Sequence, residues 1–194
     1  MPIIVKEQSA PSIEPGTYPA RCFRVVDAGT QPQEGAFEEK HKLIISWELP
    51  DERIMVDGVD MPLGVSRIYT FSLGKKANLR KDLEAWRGRP FTQEELAGFD
   101  IAKVLGTACQ LSIVHTQTGK TAVGAVTGLS KGMLVKPPQN PLVEYSIQSG
   151  PNELHASLPE WIRKMCNNCV EWSKVPANEP HLPDINSGDE SIPF

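Results

Sequence analysis

Several groupings in this 194-residue chain have the residue types and spacing to do chemistry. Cys166 and Cys169 form a Cys-x-x-Cys pair, half of a zinc site. Zinc needs a second pair of ligands, and His41, His115, His155 and His181 offer no matching spacing, so no metal is expected. Gly119-Lys120-Thr121 has the ending of a phosphate-binding loop, but the glycine required five residues before Gly119 is Val114. Asp51-Glu52 and Asp57 with Asp60 could hold a cation, yet acidic loops of this kind are ordinarily solvated. No His-Glu-x-x-His is present. The expectation is a protein that is not an enzyme and carries no cofactor.

A second kind of chemistry is non-covalent. Binding a single nucleic-acid strand takes cations along the phosphates and aromatic faces on which bases stack, each stacked base contributing about 1–3 kcal/mol. The densest basic stretch is Lys75 to Arg89. There Lys75, Lys76, Arg80, Lys81, Arg87 and Arg89 face only Asp82 and Glu84. Arg21, Phe23, Arg24, Trp47, Arg67 and Tyr69 lie on strand-like segments, with Phe23 expected to be the best exposed ring. Lys120 beside a hairpin turn is a candidate phosphate contact. Residues 1–135 hold 16 basic and 16 acidic side chains, whereas residues 136–194 hold 4 and 8, so the net charge of −4 belongs to the C-terminal part. That asymmetry implies different partners for the two parts.

The extreme C-terminus is a third candidate. Residues 173–194 have few large apolar side chains among Pro, Asn, Asp and Gly, a composition that cannot bury enough surface to fold alone. The segment ends in Asp189-Glu190-Ser191-Ile192-Pro193-Phe194. A terminal aromatic ring can fill an apolar pocket while its carboxylate pairs with an arginine. Pro193 limits the entropy lost on docking. Asp189 and Glu190 suit a basic rim.

This tip resembles the C-terminal tip of bacterial single-stranded DNA-binding proteins, which ends in acidic residues followed by Ile-Pro-Phe. The resemblance implies docking on replication, recombination and repair enzymes through Asp189, Glu190, Ile192, Pro193 and Phe194. Ser191 interrupts the usual run of acids. Residues 12–135, with PARCFRVVDAGTQ, ISWELPDE and KKANLRKDLEAWRGRPFTQEELAGFD, resemble a family of small bacteriophage proteins treated as single-strand binders. Together they imply non-specific binding of single-stranded DNA in phage replication or recombination, in the bacterial cytoplasm. The alternative is an interaction protein that competes with the host single-strand binder for its partners without binding DNA.

The elements that must position these residues follow from periodicity. Strand-like runs cover 17–27, 41–49, 65–73, 108–116 and 120–129, with Leu43, Ile45 and Trp47 sharing one face and Val65, Arg67, Tyr69, Phe71 and Leu73 another. Residues 76–87 lack Gly and Pro and carry Leu79, Leu83 and Trp86 at helical spacing; a second short helix begins at Thr92 with a capping box to Glu95. Five strands with a helix between the third and fourth is the plan of the OB fold, a small Greek-key barrel. The expected fold is therefore mainly β: this barrel over 1–135, a Pro-rich linker with an edge strand and a helix over 136–172, and the acidic tail 173–194. Cys22 and Cys109 read as core residues. One small barrel covers few nucleotides, which leaves room for a homo-oligomer. No apolar run is long enough to span a bilayer, so no membrane partner is expected.

Overall fold

A computed structural model describes residues 13–32, 38–56 and 58–173. The tip residues Asp189, Glu190, Ile192, Pro193 and Phe194 lie outside the described residues, as do 1–12. The fold is mainly β. Strands β1 (Gly16–Gln31), β2 (Lys40–Val56), β3 (Val59–Thr70), β4 (Ala108–His115), β5 (Thr121–Thr127) and β6 (Val143–Ser146) form one sheet. Five are in the order β3-β2-β1-β4-β5, antiparallel throughout, and β6 pairs with β1 in parallel. Among the described residues no ladder joins β3 to β5, although the two strands approach each other.

β1 organises the sheet by changing partner along its length. Its first part, Gly16 to Arg21, pairs with β4; from Arg21 to Gln31 it pairs with β2, with β6 on its other edge at Arg24 to Asp27. Both faces of this central region are buried. Val25, Leu43, Ile45 and Trp47 face one core, closed by Leu79, Leu83 and Trp86 of helix α1 (Asn78–Arg87). Val26, Ala28 and Ile44 face a second core built by Val143, Tyr145, Ile147, Leu158 and Ile162. The unbroken apolar run Leu43-Ile44-Ile45 is thus the signature of a strand covered on both sides. Cys22 and Cys109 are fully buried core thiols, and burial pushes Cys22 up to about 12.

The boundaries differ from the sequence expectations at definable places. β2 does not stop at Pro50. Its register shifts between Leu49 and Arg53, and the chain continues with β3 as a two-stranded ribbon to Val56 and Val59. Proline is tolerated there because β2 has lost its β1 neighbour and become an edge. The single helix expected over 153–172 is three: α3 (Glu153–Ser157), α4 (Glu160–Asn167) and α5 (Val170–Ser173). Pro159 cannot continue α3, since it lacks an N–H and clashes with the preceding turn. These helices pack on β1 and β6, so residues 143–173 form a second layer on the same sheet. Helix α2 (Gln93–Ala97) begins with the expected capping box between Thr92 and Glu95.

Candidate nucleic-acid interface

The three rings expected to stack on bases are all inside. Trp47 is fully buried and its ring lies 6.0 Å from that of Trp86. Phe23, expected to be exposed, is buried as well. A register shift between Cys22 and Arg24 turns it onto the outer face, where it packs towards Gly64 beneath the Arg24 guanidinium at 4.8 Å. Tyr69 points into the core and donates its hydroxyl to Asp82 at 2.8 Å.

Most of the expected arginines are held by the protein itself. Arg21 donates to the carbonyls of Gly106, Val135 and Lys136, which fastens the chain after β5 to β1. Arg67 donates to Asp82 at 2.9 Å and to the Gly124 carbonyl at 3.1 Å, joining β3 to α1 and to β5. Burial pushes the Asp82 carboxyl up, while Tyr69 and Arg67 pull it back down. Arg80 pairs with Glu84 at 2.9 Å. Arg87 pairs with Glu95 and stacks on Phe91 at 4.4 Å; Arg89 pairs with the same carboxylate at 2.8 Å. The basic run is therefore half structural, because Glu84 and Glu95 fold its arginines back onto the domain. Arg24 is half-buried with its Nε hydrogen unmatched, and burial lowers its proton affinity.

The lysines behave differently. Lys75, Lys76 and Lys81 are exposed, and none of the described ion pairs uses them. Lys75 and Lys76 line a groove of about 800 Å³ at the end of β3, together with Lys42, Ile68, Thr70 and Ser72; the lining contains no carboxylate. The groove lies on the outer face, since Ile68 pairs with Ile44 and Thr70 with Lys42. Ile68 is 46% exposed, and Phe71, just past the strand end, is 47% exposed with its ring 5.1 Å from that of His41. Lys120 is exposed at the β4–β5 turn but lines a second groove, between Leu63–Ser66 of β3 and Thr121–Val123 of β5. The fold thus brings Lys42, Lys75 and Lys76 together with Ile68; Phe71 lines the adjoining pocket with Leu73, Leu79 and Leu96, the two sharing Ser72, and Lys120 has another set of neighbours.

Lys42, Ile68 and Phe71 are absent from the sequence-based candidates. The first two carry a signal: they have outward parity against Leu43 and Tyr69. Phe71 shares parity with Tyr69 but lies beyond the ladder, where alternation no longer dictates direction.

The rest of the outer face is covered. Glu48, fully buried on β2, accepts hydrogen bonds from the Gln139 and Asn140 backbone N–H groups and from Asn140 Nδ2, at 2.8 to 2.9 Å. Three donors on one carboxylate pin the proline-rich segment across β2, and β6 with its helices then covers Val26 and Ile44.

Gly128-Leu129-Ser130-Lys131-Gly132 has the Gly-x-Ser-x-Gly spacing of a nucleophile elbow. An elbow needs that serine on a strand-to-helix turn beside a base. Here Ser130 follows β5 in irregular chain and donates to Gln110 Oε1 at 2.8 Å. Cys166 and Cys169 are buried against Ile162 and Tyr145 in the second core, and no metal-holding group of His, Cys, Asp and Glu occurs among the described residues. No described helix is long and apolar enough to cross a membrane.

Comparison with protein-family models, curated proteins and solved structures finds no match for the chain.

Proposed function

We propose that the protein binds single-stranded DNA non-specifically through the groove formed by Lys42, Lys75 and Lys76 beside Phe71, and recruits partner enzymes through its C-terminal tip. The observation that carries this reading is the groove itself: three lysines and Ile68 with no carboxylate in the lining, and half-exposed Phe71 in the adjoining pocket that shares Ser72. Phosphates would track the lysines while a base stacks on Phe71. The strand order β3-β2-β1-β4-β5 with α1 after β3 is that of an OB fold. On this reading the barrel is completed by the approach of β5 to β3, bridged by Arg67 and Gly124. With Phe23, Val26, Ile44 and Glu48 covered, the path for a strand is confined to the β3 end and its loop, so one copy contacts few nucleotides. The resemblance of residues 12–135 to phage single-strand binders, and of Ile192-Pro193-Phe194 to the bacterial tip, is what supports a role in phage replication or recombination.

A second reading has its own support. Phe23, Trp47 and Tyr69 are buried and Arg67, Arg80, Arg87 and Arg89 are paired with carboxylates, as expected of a domain that only presents the tip to partners that the host single-strand binder also uses. Titration of the full chain into a fluorescent oligo-dT, with a duplex control and a salt series, separates the two. Salt-sensitive binding to the single strand alone supports the first reading. Absence of binding at low salt removes it and leaves the tip, tested by deleting Phe194 and measuring partner capture.

A further inference from the structure

Among the described residues, β3 and β5 each keep one edge without a ladder, and the two strands face each other across the end of the sheet path. Four antiparallel steps separate them along that path, so they run in the same direction. Arg67 bridges them at the Gly124 carbonyl. Before that bridge lies a groove of about 500 Å³, lined by Leu63, Val65 and Ser66 of β3, Thr121 and Val123 of β5, and Ile13. Leu63, Val123 and Ile13 are buried members of the inner core. Lys120 is the charged residue of the lining, which suits an apolar occupant better than a nucleic-acid backbone. A strand edge presents a row of N–H and C=O groups that pair with an extended backbone. Two such edges on one apolar groove call for an added strand.

The chain enters the barrel at this groove. Ile13 lines it, and the Ile13 carbonyl accepts a hydrogen bond from His115 Nε2 at 3.0 Å. Residues 1–12 precede Ile13 and lie outside the described residues. They include Ile3-Ile4-Val5, three consecutive β-branched apolar residues, a composition suited to a strand. We propose that Ile3-Ile4-Val5 docks in the groove of its own chain as an added strand, with its backbone on the open edges and apolar side chains against Leu63, Val123 and Ile13. Length permits it. Residues 6–12 span up to about 23–25 Å when extended, whereas the stretch of β3 from Leu63 to Ser66 rises about 13 Å. Their sequence, Lys-Glu-Gln-Ser-Ala-Pro-Ser, is polar and suits a connection. So short a tether holds the run at an effective concentration on the order of millimolar, and at micromolar protein it fills the groove ahead of a second copy's run. The groove shares no residue with the lysine groove at the end of β3, so strand docking and nucleic-acid binding stand or fall separately.

The test is methyl and amide NMR on the full chain, without DNA. In wild type, NOE contacts should join the methyl groups of Ile3, Ile4 or Val5 to those of Leu63, Val65 or Val123. The Ile4 and Val5 amides should exchange at least about tenfold more slowly than in an unstructured chain. In a mixture of isotope-labelled and unlabelled protein, the same contacts should be absent between copies. Two variants probe the pairing: Ile4→Pro removes a backbone donor, and Ile3→Ser/Val5→Ser removes apolar surface. Each should speed exchange of the amides facing the groove, within 63–66 and 121–123, by about tenfold and leave the β1–β2 ladder as it is. Where a variant does not fold, the wild-type contacts and exchange rates decide. Absence of the contacts, or exchange at Ile4 and Val5 at the unstructured rate, overturns the inference. Contacts found between copies overturn the assignment to the same chain, and groove amides that exchange in both folded variants as in wild type overturn the pairing.

Discussion

Replacing Lys75 and Lys76 by glutamine should change how single-strand binding responds to salt more than it changes any property of the fold. Both side chains are exposed and neither takes part in a described ion pair, so their removal leaves the core and the carboxylate network intact. The groove offers three phosphate partners, Lys42, Lys75 and Lys76. With a logarithmic slope of about −0.7 per neutralised phosphate on a single strand, three contacts give a slope of about −2. Raising salt from about 50 to about 200 mM should then weaken wild-type binding by about 18-fold. The double variant keeps Lys42 alone, with a slope of about −0.7 and a loss of about 2.6-fold over the same range. Fluorescence anisotropy on labelled oligo-dT at four or more salt concentrations reads both slopes. Equal slopes in the two proteins, with binding retained, would refute the groove as the phosphate site and direct attention to Arg24 or Lys120.

Three further outcomes follow from the packing and the ionised groups. Glu95 is held at about 2, first by Arg89 and then by the Thr92 N–H and Arg87. Its depressed value means that the stabilisation is present above the ordinary carboxylate range and is lost as pH falls from there through about 2. A carboxyl-carbon NMR titration should show Glu95 ionised at pH 4, and a midpoint in the ordinary range would sink the assignment. Gly29 has φ of 71°, and a Cβ there would stand 2.8 Å from Cys169 Cβ and 2.9 Å from the Glu171 carboxylate. Gly29→Ala should therefore destabilise by about 1–3 kcal/mol in denaturant melts, through overpacking and a left-handed backbone. Glu48→Ala leaves three donors without their acceptor and should cost about 2–5 kcal/mol, with proteolysis appearing first within 136–142; a melt within 0.5 kcal/mol of wild type, a difference about the size of a neutral surface change, would show that the carboxylate does not hold the segment.

What the sequence reveals of this molecule is set by which forces are local. The helix over 78–87 is legible because Leu79, Leu83 and Trp86 repeat at its period and Gly88 ends it in the left-handed conformation. The capping box at Thr92 is legible for the same reason. The inner core follows from alternation: Leu43, Ile45 and Trp47 share a face and are buried together. The direction of Phe23 is not legible, because a register shift inverts parity at one residue, and nothing local marks it. Nor is the second layer. A Pro-rich segment reads as a linker, and only the long-range hydrogen bonds to Glu48 and the pairing of β6 with β1 make it structural. The arginines of the basic run look like a binding face until Glu84 and Glu95 are brought against them, and Glu95 arrives from the following helix. Lys42 and Lys76 are 34 positions apart in the chain and meet only because β2 and β3 are in register.

The second layer also sets an order on synthesis. Val26 and Ile44 belong to the first strands made, but the core that covers them extends to Cys169, with Trp172 of α5 packed against it. Thr127, the end of β5, leaves the ribosome 45 residues before Trp172 does. At about 5–20 residues per second, that interval is about 2–9 s. For that time a nascent chain with all five antiparallel strands available still exposes an apolar strip along β1 and β2. Folding of this protein is therefore completed from its C-terminal side, and the seconds before α5 emerges are when the nascent chain is most open to aggregation and to capture by a chaperone.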